Sequence, residues 1–394
     1  MNIRRSSTNV KLARPLHIGE EDAAIYAEAA RTGVNDRWKL SSNEERWAQY
    51  QPYLLEKGYQ LRPRYHPGWV RSWEGTNRNP RACEDALTIE SFKIIDAVRV
   101  RDGKRVIIKA FDTQVTPNEL SILQYLSDEH VQSSPFNHCA FAMDSFPVPN
   151  DEGWVFVVME TYHSIYIVPF ETVGEVIELA RQLLEGLVFM HGRNLAHRDC
   201  ASANIMMKAD TLFMSTPHPH PSYSYLTEDA QFRVGVQPRR GHTVKYYYID
   251  FGLATLFPSY AERTLVTGAD GRERDVPELL TPDIPYDPFK VDVWIIGRFL
   301  WKDFYTKSSD SLHFLDALLQ RMTEANPSHR LTAEEAYSEF ELIREKLEPR
   351  ILARALNPNF IQRAIYSLSD GFYRSVNWFR RSVLRHQHQE VFLP

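Results

Sequence analysis

The sequence predicts a mixed α+β fold in two lobes, a small β-rich lobe followed by a larger α-helical lobe, with an extension at each end. Three observations predict it. Apolar residues alternate with period two through FKIIDAVRV (92–100) and KRVIIKAF (104–111), the pattern of half-buried strands. A long apolar stripe at helical spacing runs through VGEVIELARQLLEGLVFMH (173–191), and helical patterning returns from 289 onward. Strands therefore come first and helices after, and a cleft between two such lobes is a usual place for a ligand.

Taken in order, residues 1–85 read as an N-terminal helical segment and strap. Ser42 with Glu45 makes a capping-box start, Trp47, Tyr50 and Leu54 recur at helical spacing, and Gly58 closes the helix. LRPRYHPGWVRSW (61–73) reads as an extended strap packed on its own domain, with a partner-binding segment as the alternative. Residues 86–347 form the main domain, a β-lobe over 86–160 and a helical lobe over 161–347. Asp102-Gly103 marks a hairpin between the first two strands. NELSILQYL (118–126) is a helix directing Leu120, Leu123 and Tyr125 or Leu126 to a core, and WVFVVMETY (154–162) is a buried strand. NIMMK (204–208) and KYYYID (245–250) are short strands flanking a long polar loop, about 208–245, that contains TPHPHPSYSY. Such a loop is functional or mobile. Its His218 and His220 lack a third ligand for a metal. Residues 348–394 form a basic amphipathic tail, with Ile361, Ile365, Leu368 and Phe372 on one face; it docks on the domain or lies on a membrane surface.

Composition narrows the class. The 394 residues carry 43% hydrophobic and 25% charged side chains, ordinary for a globular protein. The net charge of -5 gives no reason to expect nucleic acid as a partner. Three cysteines, Cys83, Cys139 and Cys200, stand far apart, which argues against a disulfide framework or zinc site and suits a reducing compartment. MNIRRSSTNVKLARPL lacks the apolar core of a signal peptide, and no run reaches the ~18 apolar residues of a membrane span. The expectation is an intracellular, cytoplasmic chain with a protein substrate or partner. Its oligomeric state stays open.

Four groups suggest chemistry. Lys109 ends the apolar strand VIIK and needs a counter-charge or a phosphate beneath the sheet. Glu119 in the next helix can supply that charge. Asp199 and Asn204 lie on the loop NLAHRDCASANIMM after the long helix, and Asp250 begins DFG after YYYI, where a carboxylate can hold Mg²⁺. Each has a plain structural reading: Lys109 with Glu119 as an ion pair, Asp250 as a turn cap. Together the set suits phosphates with Mg²⁺.

These stretches resemble the eukaryotic protein kinase domain, in the family's order. VIIK is similar to VAIK, and Glu119 in ELSILQYL to the αC glutamate. HRDCASAN (197–204) is similar to HRDxxxxN, IDFG (249–252) to the DFG motif, and VPE (276–278) to APE. DVWIIG (292–297) and NPSHRLTAEEA (326–336) are similar to two late motifs, the second pairing Arg330 with Glu278. The long aromatic N-terminal extension and the loop before DFG also resemble divergent, fungal-type kinase-like proteins. The resemblance implies a two-lobed kinase-like fold that uses ATP and Mg²⁺. It implies that Lys109, held by Glu119, grips the α- and β-phosphates and that Asp199 accepts the substrate's proton. Asn204 and Asp250 would hold Mg²⁺. Ile107, Met159, Glu160, Tyr162 and Met206 would surround adenine, and His197, Phe251 and Leu123 would stack between the lobes. Arg198 would form a pocket for an activation-segment phosphate on Thr255, Ser259, Tyr260, Thr264 or Thr267. Cys200, beside Asp199, reads as a small core group.

Three departures qualify this. The glycine-rich loop is missing, since TIESFKIIDAVRV (88–100) stands in its place without a glycine. Ile107 replaces the small residue above adenine, an overpacking that typically costs about 1–3 kcal/mol. Ala201 stands where serine/threonine kinases carry lysine, and ASA where tyrosine kinases carry AAR, so the acceptor residue stays open. The readings are therefore an active protein kinase, a non-catalytic pseudokinase scaffold, and a small-molecule kinase.

Overall fold

The computed structural model describes residues 38–89 and 92–356. Of the predicted tail at 348–394, residues 357–394 lie outside them, while residues 348–356 lie within them and meet the domain, where Leu356 N–H donates to Glu171 O at 2.9 Å. The fold is mixed α+β. A five-stranded antiparallel sheet runs in the order β1-β2-β3-β5-β4, from β1 (Tyr59–Gln60), β2 (Ile94–Arg99), β3 (Lys104–Asp112), β4 (Asp144–Pro147) and β5 (Trp154–Glu160). The β2–β3 hairpin turns at Asp102-Gly103, with Gly103 at φ +68°, a left-handed angle that favours glycine. Directly opposed residues of antiparallel strands share a face. The register pairs Asp96 with Ile107 and Ile94 with Lys109, so Asp96, Ile107 and Lys109 project to one side. The other side buries Ile95, Ala97, Val106, Ile108 and Ala110.

That second side is covered by α1 (Ser42–Glu56), whose Trp47 lies 5.6 Å from the ring of Phe156. The helix cap falls one residue earlier than the sequence predicts. Ser41 and Glu44 form the capping box, rather than Ser42 and Glu45. The register follows from Glu44, which is fully buried and accepts from Arg64 Nε at 2.8 Å and Nη2 at 3.1 Å. Glu45 points away from that network.

After Gly58 the chain enters β1, the edge strand of the sheet, so the sheet begins ahead of the expected boundary at residue 86. Residues 61–89 are not an extended strap. They form successive short turns, including 3-10 turns at Pro63–Tyr65, Pro80–Ala82 and Glu84–Ala86, and Trp38, Trp69, Trp73 and Cys83 make a small aromatic cluster there. This segment does pack on its own sheet. Arg62 Nε bonds Asp96 at 3.1 Å and its Nη1 bonds Glu84 at 2.6 Å, both within the fold.

The next helix, α2 (Glu119–Tyr125), buries Ile122 and Leu123 against the Lys109 side of the sheet. Beyond β5 and the short β6 (His163–Ser164), α3 (Val173–Gly192) is buried on most of its circumference and opens with a Thr172–Glu175 capping box. It packs on α6 (Ala333–Arg344) and on α4 (Pro288–Asp303), which Asp287 caps; α5 (Asp316–Met322) packs on α4. Between α3 and α4 lie β7 (Leu195–Ala196), β8 (Ile205–Lys208), β9 (Lys245–Tyr248) and β10 (Thr255–Leu256), giving a β6-β8-β9 sheet and a β7–β10 pair. Arg330, wholly buried, makes a two-pronged pair with Glu278 at 2.7 and 3.1 Å, joining NPSHRLTAEEA to VPE as the resemblance implies.

The 208–245 loop is folded down rather than loose. Arg239 donates to the carbonyl oxygens of Ile165 and Val168 at 2.5 and 2.7 Å and to the Tyr246 hydroxyl at 2.9 Å. At its far end Pro217 O accepts from Arg105 at 2.9 Å, and His218 Nε2 lies 3.3 Å from Glu84 Oε1. Among the described residues no group of three or more His, Cys, Asp or Glu could hold a metal, and no helix is long and apolar enough to cross a membrane.

Candidate active site

The site assembles at element ends. Lys109, on β3, donates to Asp250 Oδ1 at 2.7 Å and also to Glu119 Oε1. Glu119 opens α2 and is 2% exposed. Asp250 follows β9 at φ +65°, a sharp left-handed turn that aims its carboxylate back at the sheet. Burial alone lowers the Lys109 pKa, but Asp250 and Glu119 outweigh it and hold the ammonium above its usual value. Asp250 is the reverse case: burial raises it, and Lys109, Arg272 and His197 more than offset that, leaving it below the carboxylate range. Glu119 stays above its ordinary value because burial, joined by repulsion from Asp250, exceeds the help from Lys109.

Asp199 and Asn204 form the second half. Asn204, at the end of a 3-10 turn, donates Nδ2 to Asp199 O at 2.8 Å and to Asp199 Oδ2 at 2.9 Å. Burial pushes the Asp199 carboxyl up to about 7; Arg272 and Asn204 pull it down, and Asp250 adds to the rise. A buried carboxyl held near neutrality is suited to general base work.

The loop that carries Asp199 is strained and externally braced. Arg198 sits at φ +66°. The backbone N–H groups of His197 and Arg198 each donate at 2.7 Å to the two oxygens of Asp292, which is wholly buried at the start of α4. The His197 ring packs 5.0 Å from Phe251, and Leu123 is buried in the same hydrophobic cluster as Phe251. Cys200 is wholly buried, and burial first, then Asp292 and Asp199, raise its thiol well above the usual range. It is a core group.

Arg198 does not present an open pocket for a phosphate. Its Nη1 donates to Leu253 O at 3.3 Å and Thr255 Oγ1 at 3.4 Å, and its Nη2 to Thr267 O at 2.9 Å and Tyr286 Oη at 3.2 Å. It already tethers the segment after DFG. The residues expected around adenine come from neighbouring strands. Ile107 (7% exposed) opposes Met159, Met206 lies on β8 opposite Ser164 and Tyr247, and Tyr162 packs on Tyr247 at 4.8 Å. The Glu160 carboxylate lies between Lys104 and Lys208. A cavity of about 1010 Å³ opens among α3, β9 and the 208–245 loop; Glu160 and Tyr247 line it, and none of Lys109, Asp199 and Asp250 does.

Three residues of the site escaped the sequence reading. Arg272 lies across both acids: its backbone N–H donates to Asp199 Oδ1 at 2.7 Å, its Nε is 3.3 Å from Asp199 Oδ2, and its Nη2 is 3.7 Å from Asp250 Oδ2. Asp292 heads DVWIIG, so the motif was its signal. Lys93 lies near enough to be felt. Burial and then Lys109 lower its pKa, against Asp250 and Glu119. It had no motif to mark it.

The donor set fits Mg²⁺ in company with phosphate. Asn204 commits its nitrogen to Asp199, which leaves its amide oxygen for a cation, and Asp250 adds a hard carboxylate. Mg²⁺ is commonly held by one or two carboxylates together with substrate phosphates rather than by an all-protein cage.

No family model matches the chain. Among curated proteins, it is 25% identical over 253 residues to the serine/threonine-protein kinase oca2 of Schizosaccharomyces pombe; the match covers 60% of this chain and 33% of that protein. The chain thus matches about a third of that relative's length, and the similarity supports a protein-kinase-like relationship.

Proposed function

We propose that this chain is an ATP- and Mg²⁺-dependent protein kinase, with a β-lobe and a helical lobe enclosing the site, that transfers the γ-phosphate to a Ser/Thr or Tyr hydroxyl. One observation carries the reading. Lys109, Glu119 and Asp250 meet in one ion-paired cluster, and Arg272 links it to the Asp199–Asn204 pair. Lys109, held by Glu119, is the cation for the α- and β-phosphates. Asp199 takes the proton of the attacking hydroxyl and is placed for it by Asn204 and the Asp292-braced loop. Asp250 and Asn204 would hold Mg²⁺, which neutralises charge on the phosphates when bound. Ile107, Met159, Glu160, Tyr162 and Met206 are the proposed adenine surroundings.

A scaffold with weak or no ATP binding is the second reading, and a specific observation favours it. The sheet face that carries Lys109 also carries Asp96, which is 1% exposed because Arg62 covers it. His218 joins the same network through Glu84, and Pro217 sits on Arg105. The chain's own segments thus occupy part of the face that nucleotide would use, and no glycine-rich loop replaces them.

Phosphate incorporation separates the two. The full chain is incubated with Mg²⁺ and ATP alongside generic protein substrates, and modified residues are mapped by mass spectrometry. A kinase labels itself or a substrate, and Asp199→Asn abolishes the label. Labelling that persists undiminished in Asp199→Asn contradicts the role given to Asp199.

A further inference from the structure

Resting on the kinase reading, we propose that Arg272 is a further catalytic residue of this site, the cation that binds the γ-phosphate between Asp199 and Asp250. The chain lacks a lysine two positions after Asp199, where Ala201 stands, and Ala201 is 2% exposed. No cation can reach the reacting phosphate from that position. The structure supplies one from the opposite side. Arg272 arrives on the segment before VPE, and its guanidinium lies 3.3 Å from Asp199 Oδ2 and 3.7 Å from Asp250 Oδ2. A γ-phosphate near Asp250, attacked by a hydroxyl on Asp199, would lie between those carboxylates. The guanidinium faces that gap, and its planar fork suits phosphate oxygens.

The backbone is built to deliver it. Arg272 N–H is fixed on Asp199 Oδ1 at 2.7 Å. Gly271 before it lies so close to the catalytic loop that a Cβ there would stand 3.1 Å from Arg198 O. A side chain at 271 therefore needs the segment or the loop to give by a few tenths of an ångström, so glycine suits this close approach. The side chain of Arg272 is 17% exposed, enough for phosphate to displace its weaker carboxylate contacts without moving the backbone. Transfer then balances simply. The substrate oxygen bonds to the γ-phosphorus, the bond to the β-bridging oxygen breaks, the hydroxyl proton goes to Asp199, and ADP leaves. Arg272 stabilises charge on the γ-oxygens and takes no proton.

A purely structural role for Arg272, neutralising two carboxylates in the absence of nucleotide, predicts something different, and ATP against ADP tells them apart. Binding of each with Mg²⁺ is measured by calorimetry on the full chain, for wild type, Arg272→Gln, Arg272→Lys and Asp250→Asn. Loss of charge-assisted bonds to the γ-phosphate weakens ATP by about ten- to a hundredfold. ADP, which has no γ-phosphate, changes less than about threefold in Arg272→Gln, and Arg272→Lys recovers part of the ATP affinity. Asp250→Asn weakens both nucleotides, which shows that the assay senses the shared site. Equal effects on ATP and ADP in Arg272→Gln, or tighter ATP binding, overturn the assignment, the latter making Arg272 a block instead. If wild type binds neither nucleotide, the kinase reading itself fails and Arg272 loses its role with it.

Discussion

At the residue scale the site depends on groups that hold other groups. Asp292 is wholly buried, yet it accepts both backbone N–H groups that fix the left-handed turn at Arg198. Asp292→Ala leaves those donors buried and unpaired, at a cost of about 2–5 kcal/mol. Asp292→Asn, which keeps one acceptor oxygen, costs less. Chemical denaturation of the two variants measures this, and equal stability of wild type and Asp292→Ala would remove the brace. Lys109, Glu119, Asp199, Asn204 and Asp250 were legible because each sits in a short ordered motif. Arg272 was not: it meets Asp199 across 73 positions of sequence, inside a segment with no recognisable pattern. Arg198 was legible as a cation near the segment after DFG, but its carbonyl and hydroxyl partners were not. Those are tertiary contacts that composition does not encode.

At the element scale, the two-strand hairpin, the αC-like helix and the long apolar helix were all readable, because periodicity and turn residues agree. The cap of α1 shows the limit. Ser41-x-x-Glu44 and Ser42-x-x-Glu45 fit the capping-box pattern equally, and the choice is made by Arg64, which draws Glu44 inward. Glu44→Ala removes half of the capping box and leaves a wholly buried Arg64 without its carboxylate, and breaking such a pair costs about 3–5 kcal/mol. Glu45→Ala, on the solvent side, changes the melting temperature little; the comparison of the two melts checks the register. A second element-scale prediction concerns β6. Burial lowers the His163 pKa from 6.5 to about 4, with Asp210 opposing and Arg105 assisting that shift, while Phe213 packs on the ring at 4.6 Å. The unfolded chain takes up the proton near pH 6.5 and the folded chain only near 4. Its contribution is therefore complete above about 6.5 and lost as pH falls toward 4, on the order of 3 kcal/mol. His163→Phe should flatten that part of a stability–pH curve, and an unchanged slope would contradict a buried neutral imidazole.

At the scale of the whole molecule, the sheet is completed and partly covered by chain that reads as appendage. β1 is only Tyr59–Gln60, too short to carry an alternating pattern, so its place at the sheet edge was invisible before the fold. The strap at 61–89 and the 208–245 loop then meet across Asp96, Arg62, Glu84 and His218. Arg62→Ala leaves Asp96 buried without its cation and should destabilise the chain by about 3–5 kcal/mol. Limited proteolysis should then cut first in these two segments, ahead of the core built on α3. Cleavage in α3 at the same rate would mean that strap and loop are not a separate layer. The mixed α+β class was legible from element order, whereas this covering layer was not, because the contacts that fasten the loop to it, Arg105 with Pro217 and Glu84 with His218, lie more than a hundred positions apart. On the proposed function, the Lys109–Asp250 cluster takes nucleotide despite that layer. ATP binding by calorimetry, with and without Mg²⁺, on wild type and Asp250→Asn tests it most directly. The expected result is binding that strengthens with Mg²⁺ and loses that dependence in Asp250→Asn. No binding by wild type at millimolar ATP would contradict it and leave a kinase-like scaffold.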